Sequence, residues 1–351
     1  MAVATRNRVK ALYDGTEAVV GQVRARQQMS VLLDRQWAVA EGRLPKSGGA
    51  IVGGRSGVGK TLLCRLMCEQ SGLPFAEVNA TRYTEAGYAG LDLAQMFLPL
   101  LDAAARMKDE REEASWKIHG EKVADEDSST LKRGDIDQVV ELAECGVILL
   151  DEFDKWMLRV NHVTGQTDTA IQADLLKMIE GSHEYVSDQE DEVGLLFDTS
   201  KVLIICAGAF VNLQRQTAAR QDKEPSDESI WEHINQEDFV KFGLIPELAG
   251  RLATHIFLRP LKTGHLAELL SAEDGVLDEY KARFAAVDCE WAVTPEGVQY
   301  IAEQAIRAET GARAVDHIMH KTFSKALYLA SVSERPTRVT YHVNWHEARV
   351  E

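Results

Sequence analysis

The chain lacks what would tie it to a membrane, an oxidising compartment or a polyanion. No apolar run approaches the roughly 20 residues that a spanning helix needs. The N-terminal stretch "MAVATRNRVKALYDG" has no apolar core of the signal-peptide kind, so a cytoplasmic protein is expected. Five cysteines (Cys64, Cys68, Cys145, Cys206 and Cys289) include no C-x-x-C pair and sit mostly in apolar surroundings, which reads as reduced core. Cys64 and Cys68 share a helix face, but no nearby histidine completes a metal site with them. His317 and His320, spaced alike on a late helix, read as surface or packing residues. Positive charge is also scarce. With 39 Lys and Arg against 55 Asp and Glu, the net charge is −16 and the pI about 5.1. That balance argues against nucleic acid or an anionic membrane held by bulk electrostatics, so neither is expected as a partner. No internal repeat of useful length is present.

What is there begins at Gly53, in "GGRSGVGKTLL". The stretch follows a short apolar run, leads into helically spaced residues, and matches G-x-x-x-x-G-K-[ST] at Gly54, Gly59, Lys60 and Thr61. Glycines let the backbone N–H groups of Arg55, Ser56, Gly57, Val58 and Gly59 curl around phosphates without Cβ clashes. Lys60 reaches the β and γ oxygens, and Thr61 offers its hydroxyl to Mg²⁺ at a helix N-terminus. A nucleoside triphosphate, taken to be ATP with Mg²⁺, is therefore expected as ligand. Further on, "GVILLDEFDK" ends an apolar strand in two acids. In the usual division of labour Asp151 holds Mg²⁺ through its water shell, and Glu152 orients and deprotonates the attacking water. The expectation is that this strand lies directly beside the one feeding the loop, and that the chemistry is hydrolysis.

At 351 residues the chain is long enough for two domains. Residues from about 15 to 258 alternate short apolar strands ("GAIVG", "FAEVNA", "GVILLD", "KVLIICAG") with longer amphipathic segments, the pattern of a parallel sheet covered by helices. The segment 106–135 is too charged to supply core and reads as a solvated insertion in preference to a docking surface. Pro260 marks a joint, after which a mostly helical domain is expected. Thr294 and Pro295 open one helix by N-cap and first-turn proline, a second helix starts after Gly311, and the alternating "RVTYHVNW" reads as a terminal strand. The fold class is thus α/β, with a nucleotide-binding domain at 1–258 and a small helical domain at 259–351.

Taken with these motifs, several further stretches make the chain resemble the AAA+ module of the ClpX-type unfoldases, from about residue 15 almost to the end. "AVVGQVRARQQM" resembles the adenine-packing segment, which implies Val19 and Val20 as contacts. "NATRYTEAGYAGLD" resembles the substrate-gripping pore loop with Tyr88 at its tip. "KFGLIPELAGRL" is similar to the segment carrying the arginine finger, placed on Arg251, and "TGARAVDHIM" to the sensor-2 helix, placing Arg313 near the γ-phosphate. The resemblance implies a homo-oligomeric ring, a hexamer in that family, acting on protein substrates with or without an adaptor protein.

The departures from the family pattern carry expectations of their own. The chain starts almost at the ATPase module, without the cysteine-ligated zinc domain. "QRQTAARQDKEPSDESIWEHINQED" lacks the Ile-Gly-Phe tripeptide that docks a peptidase, so a ClpP-type peptidase is not expected. The acidic "SHEYVSDQEDEVG" stands where the family has a basic loop. "CAGAF" carries no polar side chain for sensor 1, which stays unassigned. The leading expectation is an ATP-driven ring that threads polypeptides without a dedicated peptidase. Alternatives are a protease-coupled ClpX- or HslU-like subunit, and a slowly hydrolysing scaffold or switch; a DNA-acting motor fits the acidic balance poorly.

Overall fold

The computed structural model describes residues 2–83, 91–119, 133–158, 169–187, 194–224, 228–273, 275–308, 312–333, 337–341 and 349–350. Tyr88, the centre of the charged insertion and residues 188–193 of the acidic loop lie outside them. The chain divides into two compact units: Met1–Thr16, Arg24–Gly53 and Lys60–Phe257 form the first; Glu17–Val23, Gly54–Gly59 and Leu258–Glu351 form the second. No helix among the described residues is long and apolar enough to cross a membrane.

The first unit is built on α1 (Ala2–Asp14), α2 (Val23–Ala40), β1 (Ala50–Gly53), α3 (Lys60–Ser71), β2 (Phe75–Asn79), α4 (Leu98–His119), α5 (Arg133–Ala143) and β3 (Val147–Asp151). It continues through α6 (Ala170–Glu180), β4 (His183–Val186), β5 (Leu195–Asp198), β6 (Leu203–Gly208), α7 (Leu213–Gln221), α8 (Gln236–Phe242), α9 (Pro246–Arg251) and β7 (Thr254–Phe257). Five strands form one parallel sheet in the order β2-β3-β6-β1-β7, while β4 and β5 pair as a separate antiparallel hairpin. Strands β1 and β6 are buried at every position and β3 at all but its last, as near-continuous apolar runs covered on both faces require. The expectation that β3 lies directly beside β1 is wrong: β6 stands between them. Adjacency in the sequence pattern does not fix strand order, and the buried "LIICAG" run fills the sheet's centre.

The charged segment near 106–135 begins as the continuation of α4, whose earlier residues Leu100 and Ala104 are fully buried. Lys108 and Asp135 tie α4 to α5 through an ion pair of 2.6 Å.

The second unit contains α10 (Thr263–Leu270), α11 (Val276–Ala285), β8 (Cys289–Val293), α12 (Pro295–Arg307), α13 (Arg313–Ser331), β9 (Thr337–Tyr341) and β10 (Arg349–Val350). Thr294 caps α12 by accepting the Gly297 N–H at 3.2 Å with Pro295 in the first turn, a cap that stabilises by about 1 kcal/mol. The unit is less purely helical than its sequence suggests, because β10, β9 and β8 form a three-stranded sheet. β8 and β10 are strands that the sequence pattern did not reveal. The alternation of β8 buries Cys289 and Trp291, and Trp291 stacks on Phe284 and meets Phe323 edge-on within the small core.

Candidate nucleotide site

The carboxyl-terminal edge of the parallel sheet gathers the hydrolytic candidates. β1 ends at Gly53, and the loop that follows turns through positive φ at Gly54 (148°), Gly57 (75°) and Gly59 (94°) before α3 begins at Lys60. These glycines are needed on two grounds: L-residues rarely adopt such φ values, and a Cβ at Gly54 would come within 2.8 Å of the Leu258 carbonyl oxygen. Lys60 and Thr61 therefore occupy the first turn of a twelve-residue helix, where backbone N–H groups lack intrahelical acceptors.

Two strands away, β3 delivers Asp151. Its Oδ2 accepts the Thr61 Oγ1 hydrogen bond at 2.9 Å, and its Oδ1 accepts the Glu152 N–H at 2.8 Å. The hydroxyl and carboxylate that the sequence assigned to one cation are thus side by side. Mg²⁺ keeps most of its waters and needs only one or two protein oxygens, so this donor set fits it. No group of three or more His, Cys, Asp or Glu suited to another metal occurs among the described residues.

Glu152 follows with φ 56°, a left-handed conformation held by what surrounds it. Its neighbours sink into the core: Phe153 and Trp156 are fully buried, and Trp156 Nε1 donates to the Ala80 carbonyl at 2.7 Å. Asp154, also buried, accepts the Phe210 N–H at 3.1 Å. That contact explains the glycine of "CAGAF", since a Cβ on Gly208 would lie 2.9 Å from Asp154 Oδ1.

The exposed Glu152 carboxylate has a partner that the sequence pattern did not reveal. Asn79, at the end of β2, lies in register with Asp151 and its Nδ2 donates to Glu152 Oε2 at 3.3 Å. The Asn79 Oδ1 accepts from the backbone N–H and the hydroxyl of Thr81, at 2.8 and 2.6 Å, which fixes the amide's orientation toward Glu152. The only signal in the sequence was a polar residue closing the strand "FAEVN".

The remaining candidates lie in other surroundings. Within the second unit Val19 is buried, with Cγ1 3.9 Å from the position a Cβ on Gly59 would take, and Val20 is half-buried beside it. Next to them Gln22 bonds the backbone of Arg259 twice: its Nε2 donates to the carbonyl at 2.8 Å, and its Oε1 accepts the N–H at 2.9 Å. The Ala312 N–H donates to the Gly57 carbonyl at 3.3 Å, so Arg313, exposed at the start of α13, follows a residue bonded to the loop. Arg251 belongs to the first unit. It ends α9 at the opposite, amino-terminal edge of the sheet, where its carbonyl accepts the Gly49 N–H at 3.0 Å just before β1. Its exposed side chain donates from Nε to Glu180 Oε1 at 2.8 Å.

The cysteines are free thiols, and burial pushes those of Cys64, Cys68 and Cys206 well above the ordinary range; at Cys64 the charge of Asp151 adds to the effect.

A strand, a glycine loop, a helix-borne Lys-Thr pair and a strand-end Asp-Glu pair on one edge of a parallel sheet define a P-loop nucleoside triphosphatase. Comparison with known proteins narrows the class. Residues 46–255 match the model of the AAA domain (Cdc48 subfamily), and residues 263–340 match the C-terminal D2-small domain of ClpB protein. The chain is similar to the ATP-dependent Clp protease ATP-binding subunit ClpX of Treponema denticola, at 28% identity over 94% of this chain and 78% of the relative. It is similar at 29% to the ClpX of Azotobacter vinelandii, over 89% and 71%, and at 29% to the ClpX 2 of Wolinella succinogenes, over 82% and 67%. The chain belongs to the AAA family and is a ClpX-like AAA+ ATPase.

Proposed function

We propose that this protein is the subunit of a homo-oligomeric ring, a hexamer by analogy with the family, that hydrolyses ATP to pull polypeptides through its centre. One observation carries the reading: the hydrolytic half of the site is assembled on one edge of the sheet, whereas Arg251 stands exposed on the other. β1, which separates the two edges, has four residues, about 13 Å at 3.3 Å per residue. An arginine there serves a neighbouring subunit's nucleotide better than its own, so hydrolysis requires assembly.

In this reading the large domain is 1–258 and the small one 259–351, joined near Pro260. The loop N–H groups from Arg55 to Gly59, together with Lys60, hold the ATP phosphates, and Val19 and Val20 pack on the adenine. Thr61 and Asp151 hold Mg²⁺, which when bound draws charge off the β and γ oxygens. Glu152, oriented by Asn79, takes the proton of the attacking water at its carboxylate. Arg251 of the adjoining subunit supplies positive charge as the γ-phosphoryl group departs, and Arg313 does so from the small domain, which links hydrolysis to movement about the joint. Tyr88 offers an aromatic surface that grips a passing chain without regard to its sequence. Protein substrates, with or without an adaptor, are the proposed partners; nucleic acid and membrane are not.

Whether a peptidase is attached divides two forms of this function. The missing Ile-Gly-Phe tripeptide favours an uncoupled ring. The second form, a protease-coupled subunit, draws support from the relatives, each named as the ATP-binding subunit of an ATP-dependent Clp protease.

Capture on a stalled ring tests the reading. Glu152→Gln protein incubated in lysate with ATP is expected to retain polypeptides that are released when ATP is withdrawn, and Tyr88→Ala in the same background is expected to reduce that retention at least tenfold. Retention that ignores ATP, or ignores Tyr88, would defeat it. ClpP-type peptidase among the retained proteins decides for the coupled form.

A further inference from the structure

Arg251 is not a loose side chain, and its anchorage points to a residue that the hydrolytic scheme does not use. Glu180, the last residue of α6, accepts its Nε hydrogen bond at 2.8 Å. Among the described residues the two Nη groups of Arg251 make no other hydrogen bond. A guanidinium gripped at Nε alone keeps its remaining donors for a second anion, and its planar fork loses most of its rotational freedom. The end of α6 is itself fixed. The Gly181 N–H closes the helix on the Lys177 carbonyl at 3.0 Å, and Lys46 Nζ donates to the carbonyls of Met178 at 3.1 Å and Thr199 at 2.8 Å. Arg251 is held by its backbone as well, through Gly49. The chain of contacts therefore runs from Lys46 through the α6 terminus and Glu180 to the guanidinium.

We propose that Glu180 is a positioning residue for the shared ATPase site: it holds Arg251 by Nε so that the Nη groups reach the neighbouring subunit's ATP already oriented. This rests on the reading of Arg251 as a finger acting across an interface. As an exposed ion pair the contact contributes little to folding, so its value lies in geometry. A long side chain with several rotors that must be ordered at each encounter loses rate, because small misplacements of a catalytic group are costly. The opposite arrangement, in which Glu180 sequesters Arg251 until assembly frees it, predicts the opposite sign.

The experiment is a double-mutant cycle on the full chain, read as steady-state ATP turnover with nucleotide affinity and ring assembly measured alongside. Glu180→Ala is expected to lower kcat about three- to tenfold, leaving ATP affinity and assembly within twofold, and Glu180→Gln, which keeps an accepting oxygen, to recover most of the loss. In an Arg251→Ala background, Glu180→Ala is expected to cost nothing further. An unchanged or raised kcat in Glu180→Ala overturns the proposal, as does an equal loss in the Arg251→Ala background. If Arg251→Ala alone leaves turnover intact, the shared-site reading itself fails; if Arg251→Ala is crippled and Glu180→Ala is not, only the positioning role falls.

Discussion

The two edges of the parallel sheet are built differently. At the carboxyl edge, Thr61, Asp151, Glu152 and Asn79 are linked by successive hydrogen bonds, Glu152 is held at positive φ, and Phe153, Asp154 and Trp156 anchor the turn from below. At the amino edge a single exposed ion pair holds Arg251 to Glu180, on a backbone tied down at Gly49 and Lys46. A group that must act on its own subunit's ligand can be embedded in a network. One that must meet another subunit has to stay at the surface, so only part of it can be held by its own chain. Under the proposed function, that difference accounts for backbone strain on one edge and exposure on the other.

The largest break in this comparison comes from the two catalytic candidates themselves. Glu152→Gln keeps a hydrogen-bonding oxygen but cannot take a proton, and turnover is expected to fall by about 10² to 10⁴ with ATP still bound. Arg251→Ala is expected to cost about 10² to 10³. Mixing Arg251→Ala with Lys60→Ala subunits should restore activity at interfaces where an intact loop meets an intact finger. Mixed rings no more active than the sum of the two inactive parents would show that the edges do not serve different subunits.

A smaller effect is expected at Asn79. Asn79→Ala removes the donor to Glu152 without touching the proposed cation ligands, so kcat should drop about tenfold while ATP affinity holds. A fall in affinity equal to the fall in kcat would show that Asn79 acts on binding instead.

The smallest belongs to Lys46, whose pKa burial lowers to about 8, with Asp198 opposing the shift. For a lysine so depressed the folded chain sheds the proton first. Between about pH 8 and the ordinary lysine value the unfolded chain holds more protons, so this group's contribution to stability rises with pH and is lost as pH falls through about 8. The difference in Tm between the wild type and Lys46→Met should therefore shift in favour of the wild type from pH 7.5 to 9.5. A difference independent of pH would mean that the α6 terminus is held without titration of Lys46.

Much of the carboxyl edge is legible in the sequence alone. The glycine loop, the strand ending in Asp151 and Glu152, the capped helix at Thr294 and four of the sheet's five strands are contiguous in sequence, and each is dictated by local chemistry: positive φ, caps, apolar runs; the short, partly exposed β7 gave no such signal. Turn, cap and strand signals act over a few residues, so one sequence suffices to read them. What only the tertiary structure decided are the long-range pairings. It set β6 between β1 and β3, brought Asn79 to Glu152 across 73 residues and Arg251 to Glu180 across 71, and placed Arg251 on the far edge from Lys60. Those follow from strand order and from the packing of α6 on α9, which depend on how the whole core closes. No local spacing encodes them, because many strand orders would bury the same apolar runs equally well.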